Sequence, residues 1–383
     1  MRILYISYIK IKSWGGAVIE ADKFIDGIES FAKNQKNCEY KIISLDNNLE
    51  NTLPNVVLNP SKALSVLSRL LGHSYYMYMF WRLNKKKILA YKPDVVVLGR
   101  SNLGFIAKSI KKYSNSIKVV TDVDNIEIDY INAFSNNSTS LSIKQLKKTT
   151  YRDENDTIKY SDHLLMLTPR NLSRVKELYG YSSDNNSVLP ICMDKPIKPL
   201  EINTQCKNVV FYGSLSYPAN NNAICDFINN VWKENYKSNK NIKLIVAGSS
   251  PQNQLLELVS KYENIVVYKN YSELKDVIPK NSLLIVPLKD GAGMKTKIVE
   301  ALSFGLTVVA SDEALEGYEE IMNPPNKGVT RANAVNEYIE AINMFMKLDE
   351  TELVEQGKEN YKLFEKFYSY ERSRKVFANI LKK

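Results

Sequence analysis

The chain has 383 residues, 44% of them hydrophobic and 25% charged, which is too long for one small module and fits two globular domains. Its net charge of +10 is uneven: residues 51–150 hold 15 Lys/Arg against five Asp/Glu, whereas residues 201–383 hold 23 of each. The composition excludes disorder, collagen and a disulfide scaffold, and an anionic partner is expected to meet the N-terminal half.

The chain opens MRILYISYIK, a strand pattern over residues 3–7 with no basic n-region or apolar h-region, so no secretory signal is expected. Trp14, Gly15 and Gly16 follow that strand. Further apolar runs at 40–45, 56–58, 95–98, 118–122 and 164–168 alternate with longer amphipathic stretches, the pattern of a parallel sheet covered by helices. Residues 61–118 carry 12 Lys/Arg against the single acid Asp94. Within them, SVLSRLLGHSYYMYMFWRLNKKK joins apolar and aromatic residues to Lys85, Lys86 and Lys87. This stretch fits either an interfacial helix at an anionic membrane or a helix pair whose aromatics fill the core. Residues 129–145 are polar enough for a loop.

The stretch from Pro190 through Pro196 to Pro199 sustains neither helix nor central strand and reads as an interdomain linker. A second series of strands is expected at 209–212, 243–247, 265–268, 283–287 and 307–310. From about residue 350 the pattern is helical, with Leu363, Phe367, Val376 and Ile380 as apolar positions. The expected fold is therefore α/β, with two Rossmann-like doubly wound domains facing a cleft. They cover residues 1–195 and 196–355, and a helical tail over 356–383 returns to the first. No apolar run approaches the roughly 20 residues needed to span a bilayer. Cys38, Cys192, Cys206 and Cys225 form no Cys-x-x-Cys pair, and with only His73 and His163 no zinc site assembles at recognised spacing. A cytoplasmic protein with free thiols is expected.

The densest chemistry lies in PLKDGAGMKTKIVEALSFG, residues 287–305, where a strand gives way to a glycine loop and then a helix. Gly291 and Gly293 allow backbone amides close to a ligand, the helix directs its positive end there, and Lys295 and Lys297 add cationic side chains. The arrangement suits a diphosphate, and Glu300 can accept hydrogen bonds from sugar hydroxyls. In VVTDVDNIEIDY, residues 119–130, the carboxylates of Asp122, Asp124 and Glu127 share one loop, where each can orient or deprotonate a hydroxyl or cap a helix. Arg170 can reach the cleft, whereas His163 reads as structural.

The 287–305 segment resembles the donor-site signature of glycosyltransferase family 4, proteins of the GT-B fold, in the form P-L-x-x-G-x-G-x-K-x-K-x-x-E-A-x-x-x-G. Many members carry two glutamates separated by seven residues. Glu300 matches the second, and Ala292 stands where the first would be, so the amides of Ala292 to Met294 are expected to hold the diphosphate and sugar. Residues 208–232 resemble the opening of the family's nucleotide domain, which implies that Gly213 and Ser214 flank the donor diphosphate, with Pro218 and Asn220 in the helix that follows. Residues 268–274 would neighbour the base or ribose. Gly15 and Gly16 resemble the family's acceptor or phosphate loop, and residues 122–127 its D-x-H-N-x-E step, with Asp124 in place of histidine.

The resemblance implies a retaining glycosyltransferase that moves a sugar from a UDP- or GDP-sugar to a hydroxyl of a glycan or lipid-linked acceptor in envelope or capsular polysaccharide synthesis. It further implies an acceptor-binding first domain, a donor-binding second domain, and no cofactor or metal. Asp124, Lys297 and Glu300 are the expected catalytic residues, and peripheral membrane contact through 61–118 goes with a location at the inner face of the cytoplasmic membrane. A nucleotide-sugar epimerase or a non-catalytic nucleotide-binding partner of another transferase would share the donor site. A nucleic-acid partner is not expected, because no recognition helix or single-strand-binding pattern accompanies the charge.

Overall fold

The computed structural model describes residues 1–10, 16–46, 49–73, 76–135, 140–196, 207–234, 242–269, 271, 274–279, 281–291, 293–323 and 326–382. Contacts divide the chain into two units, Met1–Met193 with Tyr370–Lys383, and Asp194–Ser369.

The first unit runs β1 (Arg2–Ile6), α1 (Gly16–Lys33), β2 (Glu39–Ile43), α2 (Lys62–Leu70), α3 (Met77–Ala90), β3 (Val95–Leu98) and α4 (Gly104–Tyr113). It continues with β4 (Lys118–Val123), α5 (Glu127–Phe134), α6 (Leu141–Tyr160), β5 (His163–Met166), α7 (Pro169–Tyr179) and β6 (Asn186–Val188). The strands form one sheet in the order β2-β1-β3-β4-β5-β6, parallel throughout. Strand alternation sorts its side chains onto two faces. Leu4, Ile6, Val96, Leu98 and Val119 pack with Phe80, Trp81 and Ile106, whereas Ile3, Tyr5, Val95, Val97 and Val120 pack with Phe24 and Phe377. Burial on both faces explains why these strands read as unbroken apolar runs.

The second unit repeats the plan with β7 (Asn208–Tyr212), α8 (Pro218–Phe227), β8 (Lys243–Ala247), α9 (Asn253–Val259), β9 (Ile265–Tyr268) and β10 (Ser282–Val286). Then follow α10 (Thr296–Ser303), β11 (Thr307–Ala310), α11 (Glu319–Met322), β12 (Val329–Arg331), α12 (Val335–Lys347) and α13 (Glu350–Phe367). Its sheet has the order β12-β11-β10-β7-β8-β9 and is likewise parallel. The last helix, α14 (Tyr370–Lys382), belongs to the first unit. Phe377 meets Phe24 edge-on at 5.1 Å, and Gly27 of α1 has no Cβ to collide with the Phe377 ring. Arg374 adds a bidentate pair with Asp26 at 2.8 and 2.6 Å.

Three expectations are corrected, and two short edge strands stand where none was expected. Residues 56–58 form no strand: Asn55 sits at φ 62° and Pro60 follows, so Val56 and Leu58 reach the core without joining the sheet. β6 and β12 have only three residues each, too short to show a period. The 129–145 stretch enters α5 and α6, the latter capped by Ser140 Oγ accepting from Ile143 N at 3.3 Å. The tail divides at 370, because α13 belongs to the second unit. Among the described residues no helix is long and apolar enough to cross a membrane, and no group of His, Cys, Asp or Glu could hold a metal ion. Cys38, Cys192 and Cys225 are free thiols, while Cys206 lies outside the described residues.

Candidate functional site

In the second unit the site grows from the end of β7. The strand NVVFY is buried throughout and delivers Gly213 at φ 147°, where a side chain would be strained. A Cβ there would stand 3.0 Å from Lys297 Nζ and 3.1 Å from Asn220 Nδ2. Lys297, 8% exposed, donates from Nζ to Asn220 Oδ1 at 2.9 Å and lies 4.6 Å from the centre of the Phe211 ring. Asn220 Nδ2 donates to Ser214 O at 3.0 Å, tying the exposed Ser214 into the turn. Burial draws the Lys297 ammonium down to about 7, with Glu300 opposing the shift and Lys295 adding to it. For Glu300, burial raises the carboxyl pKa, and Tyr212 and Lys297 counter the rise. The Glu300 charge also adds to the burial that lifts the Tyr271 phenol to about 12.

The glycine loop is held from within. Gly291 and Gly293 adopt φ of 130° and 66°, and Met294 is buried. Lys295 Nζ donates to Gly291 O at 3.3 Å and Gly293 O at 2.6 Å and pairs with Glu313 at 3.6 Å. The Tyr318 hydroxyl donates to Lys295 O at 2.7 Å. Lys295 therefore braces the loop, whereas Lys297 stands by Gly213. Lys295 is also the N-cap of α10 and supplies no side-chain acceptor, so the first amides of that helix keep their capacity for an anion. Ala292 lies outside the described residues.

In the first unit, Asp122 and Asp124 at the end of β4 and Glu127 at the start of α5 are all buried. Arg100, just past β3, meets Asp124 Oδ2 at 2.6 Å and Glu127 Oε1 at 3.6 Å. Asp124 Oδ1 is buried and has no donor among the described residues. Asn171 Nδ2 donates to Asp124 O at 3.0 Å, fixing the loop from α7. Burial pushes Glu127 up to about 7, with Asp124 adding and Arg100 opposing. Burial and then the neighbouring Asp124 hold Asp122 well above the usual carboxylate range. From α1, Glu20 and Lys23 form a buried ion pair, and Lys23 Nζ also donates to Leu189 O and Pro190 O at 3.3 and 3.2 Å. Gly16 is the first residue of α1, and Gly15 lies outside the described residues.

Sequence reasoning missed Arg100, Glu20, Lys23 and Glu154. Glu154 of α6 accepts from Ser101 Oγ at 2.8 Å, Glu127 N at 2.9 Å, Ile128 N at 3.1 Å and Tyr179 Oη at 2.7 Å, so it caps α5 and positions Glu127. Arg100 had one signal, its place directly after a strand, where open α/β sheets bind ligands. His163 Nε2 lies 3.0 Å from Ser187 Oγ on the neighbouring strand, a structural contact, and Arg170 is exposed on α7.

Residues 206–347 match the family described as glycosyl transferases group 1. A segment of 117 residues is 30% identical to an uncharacterized 44.6 kDa protein in the cps region of Klebsiella pneumoniae, spanning 29% of this chain and 30% of that protein. Sucrose-phosphate synthase from Thermosynechococcus elongatus superposes with a TM-score of 0.67 at 12% identity, over 100% of this chain and 98% of its own. The Anabaena protein Alr3699/HepE, solved in complex with UDP, superposes with a TM-score of 0.67 at 13% identity over 100% of both chains. Likeness at such identities establishes the fold. The chain has the two-domain α/β architecture of GT-B proteins, and the stretch of its second unit from 206 to 347 is similar to the glycosyl transferases group 1.

Proposed function

We propose that this chain is a retaining glycosyltransferase that moves a sugar from a nucleoside-diphosphate donor to a hydroxyl. One observation carries the reading: the Lys297 ammonium stands beside Gly213 and Asn220, with Glu300 one helical turn further along α10. A diphosphate placed there meets a cation and uncapped helix amides, and Glu300 accepts from ribose or hexose hydroxyls. As the bond from the anomeric carbon to the diphosphate oxygen breaks, negative charge grows on the leaving group, where preorganised positive charge lowers the barrier. No metal takes part in this scheme. In the first unit Asp124 Oδ1, which has no donor among the described residues, receives the acceptor hydroxyl, and Arg100 holds that carboxylate in place.

Two lines support a UDP-sugar donor and an envelope-polysaccharide acceptor, the UDP complex of HepE and the cps-region relative. The acceptor in this reading is a glycan carried on a lipid at the cytoplasmic face of the membrane. A thermal-shift panel of UDP, GDP, CDP and their sugars tests the donor site. Stabilisation by one nucleotide, lost in Lys297→Ala and Glu300→Ala, is expected; no response to any nucleotide would overturn the reading. Sugar consumption without an acceptor, yielding an isomerised nucleotide-sugar, would reassign the chain as an epimerase.

A further inference from the structure

α2 is built with its polarity reversed. Ser61, Leu64, Ser65 and Ser68 fall on the side that turns inward. Ser68 is fully buried, and its Oγ accepts from Met79 N of α3 at 3.3 Å. The opposite side carries Val66, Leu67, Leu70 and Leu71, which are 54, 45, 76 and 47% exposed. With the exposed Ala63 they follow the i, i+3, i+4, i+7, i+8 stripe that a helix of a water-soluble protein normally turns to its core. On α3, Phe80, Trp81, Ile88 and Leu89 are buried, whereas Leu83 is 64% exposed and is followed by the exposed Lys85, Lys86 and Lys87. Arg69 and Arg82 are exposed as well, and no Asp or Glu occurs between residues 61 and 93.

We propose that the outward face of α2, together with the basic end of α3, docks on the surface of an anionic lipid bilayer. Apolar side chains of this size sink to the boundary between headgroups and acyl chains, while Lys and Arg stay at the phosphates. An α2 of nine residues is about 13 Å long, enough to lie in that layer and too short to span it. Nucleic acid would satisfy the cations and leave the leucines in water, whereas the lipid surface satisfies both. The aromatics do not supply the apolar contact: Phe80 and Trp81 fill the core, and the exposed leucines and valine take their place. This docking is independent of the transfer reaction, since none of its residues lies in the Lys297 cluster or in the Asp124 cluster.

Flotation of the full chain with vesicles tests it. Binding to 70:30 phosphatidylcholine:phosphatidylglycerol vesicles at low salt is expected, with little binding to pure phosphatidylcholine and release at 500 mM salt. Leu67→Ser/Leu70→Ser/Leu71→Ser should abolish flotation. Lys85→Gln/Lys86→Gln/Lys87→Gln should weaken partitioning about a hundredfold, from roughly fivefold per basic residue, both with unchanged circular dichroism melting. Absence of binding to the anionic vesicles, equal binding to neutral ones, or unaltered flotation of either correctly folded variant would overturn the proposal. A wild-type dimer that ignores vesicles and is dissolved by the leucine variant would reassign the face to contact between copies.

Discussion

Under the proposed transfer, Lys297 links donor binding to protons, and the link can be measured. Its side chain is 8% exposed, and burial brings its pKa down to about 7, so without ligand it is about half protonated at pH 7 and about one-tenth at pH 8. A diphosphate beside Nζ restores the charged form and lifts the pKa toward the usual lysine value of about 10.4. The bound state then holds more protons than the free state at every pH between those two values. By linkage, affinity is independent of this group below about pH 6, and above pH 7.5 it falls by close to tenfold per unit. UDP itself has released its last phosphate proton by that range. Titration calorimetry at pH 8 in two buffers of different ionisation enthalpy should report uptake of about 0.9 proton per UDP. Lys297→Arg, which stays protonated, should bind with no uptake and a flat affinity from pH 7.5 to 9. Zero uptake by the wild-type chain, or the same slope in the arginine variant, would refute the placement of the diphosphate at Lys297.

Gly213→Ala should lower UDP affinity at least tenfold without unfolding the chain, because the new Cβ stands 3.0 Å from Lys297 Nζ and displaces it; unchanged binding would contradict the close approach. The Glu127 carboxyl holds its proton to about 7 when folded, against 4.5 for an ordinary glutamate, so its contribution to stability is fullest below pH 4.5 and is lost as pH rises to 7. Glu127→Gln should therefore stabilise the chain by about 2 kcal/mol more at pH 8 than at pH 5. Urea unfolding at the two pH values checks this, and an equal effect at both would refute it. Arg100→Gln leaves Asp124 without its cation and should cost about 3–5 kcal/mol. Adding Asp124→Asn should recover most of that loss, and additivity of the two changes would show that the pair is not coupled.

The central parallel strands were legible because burial on both faces leaves no polar alternation to confuse them: the runs at 95–98, 243–247 and 307–310 coincide with β3, β8 and β11. The failures have local causes. Edge strands such as β6 pair on one side only and need just three residues, while Val56 and Leu58 are apolar because they cover the core, a demand that periodicity cannot distinguish from strand burial. In the site, the glycine-lysine loop was visible, but the division of labour between Lys295 and Lys297 was not. Two residues apart, they look equivalent, and only the carbonyls of Gly291 and Gly293 and the carboxylate of Glu313 show that one of them braces the loop. The cluster around Asp124 was half legible. Its carboxylates lie close in sequence, whereas Arg100, Glu20 and Glu154 arrive from β3, α1 and α6, and no local pattern joins them.

The charge of the first unit separates by depth, which changes what its sum means. The basic excess of residues 51–150 sits largely at the surface, on Lys62, Arg69, Arg82, Lys85, Lys86 and Lys87. The buried ionisable groups around Asp124 run the other way, with Glu20, Asp122, Asp124, Glu127 and Glu154 gathered about Lys23 and Arg100. A phosphate drawn to this domain by its net charge would enter that cluster unpaired, at a high desolvation cost, since Arg100 is already paired with Asp124 and Lys23 with Glu20. Hydroxyls suffer no such penalty and can donate to Asp124 Oδ1. Under the proposed transfer, a lipid-linked glycan is sorted accordingly, with its neutral sugar entering among the carboxylates and its anionic carrier remaining with the lysines outside. A soluble sugar phosphate would then be a poorer acceptor than the same sugar without phosphate, and a preference for the phosphorylated form would show that the carboxylate cluster is not the acceptor site.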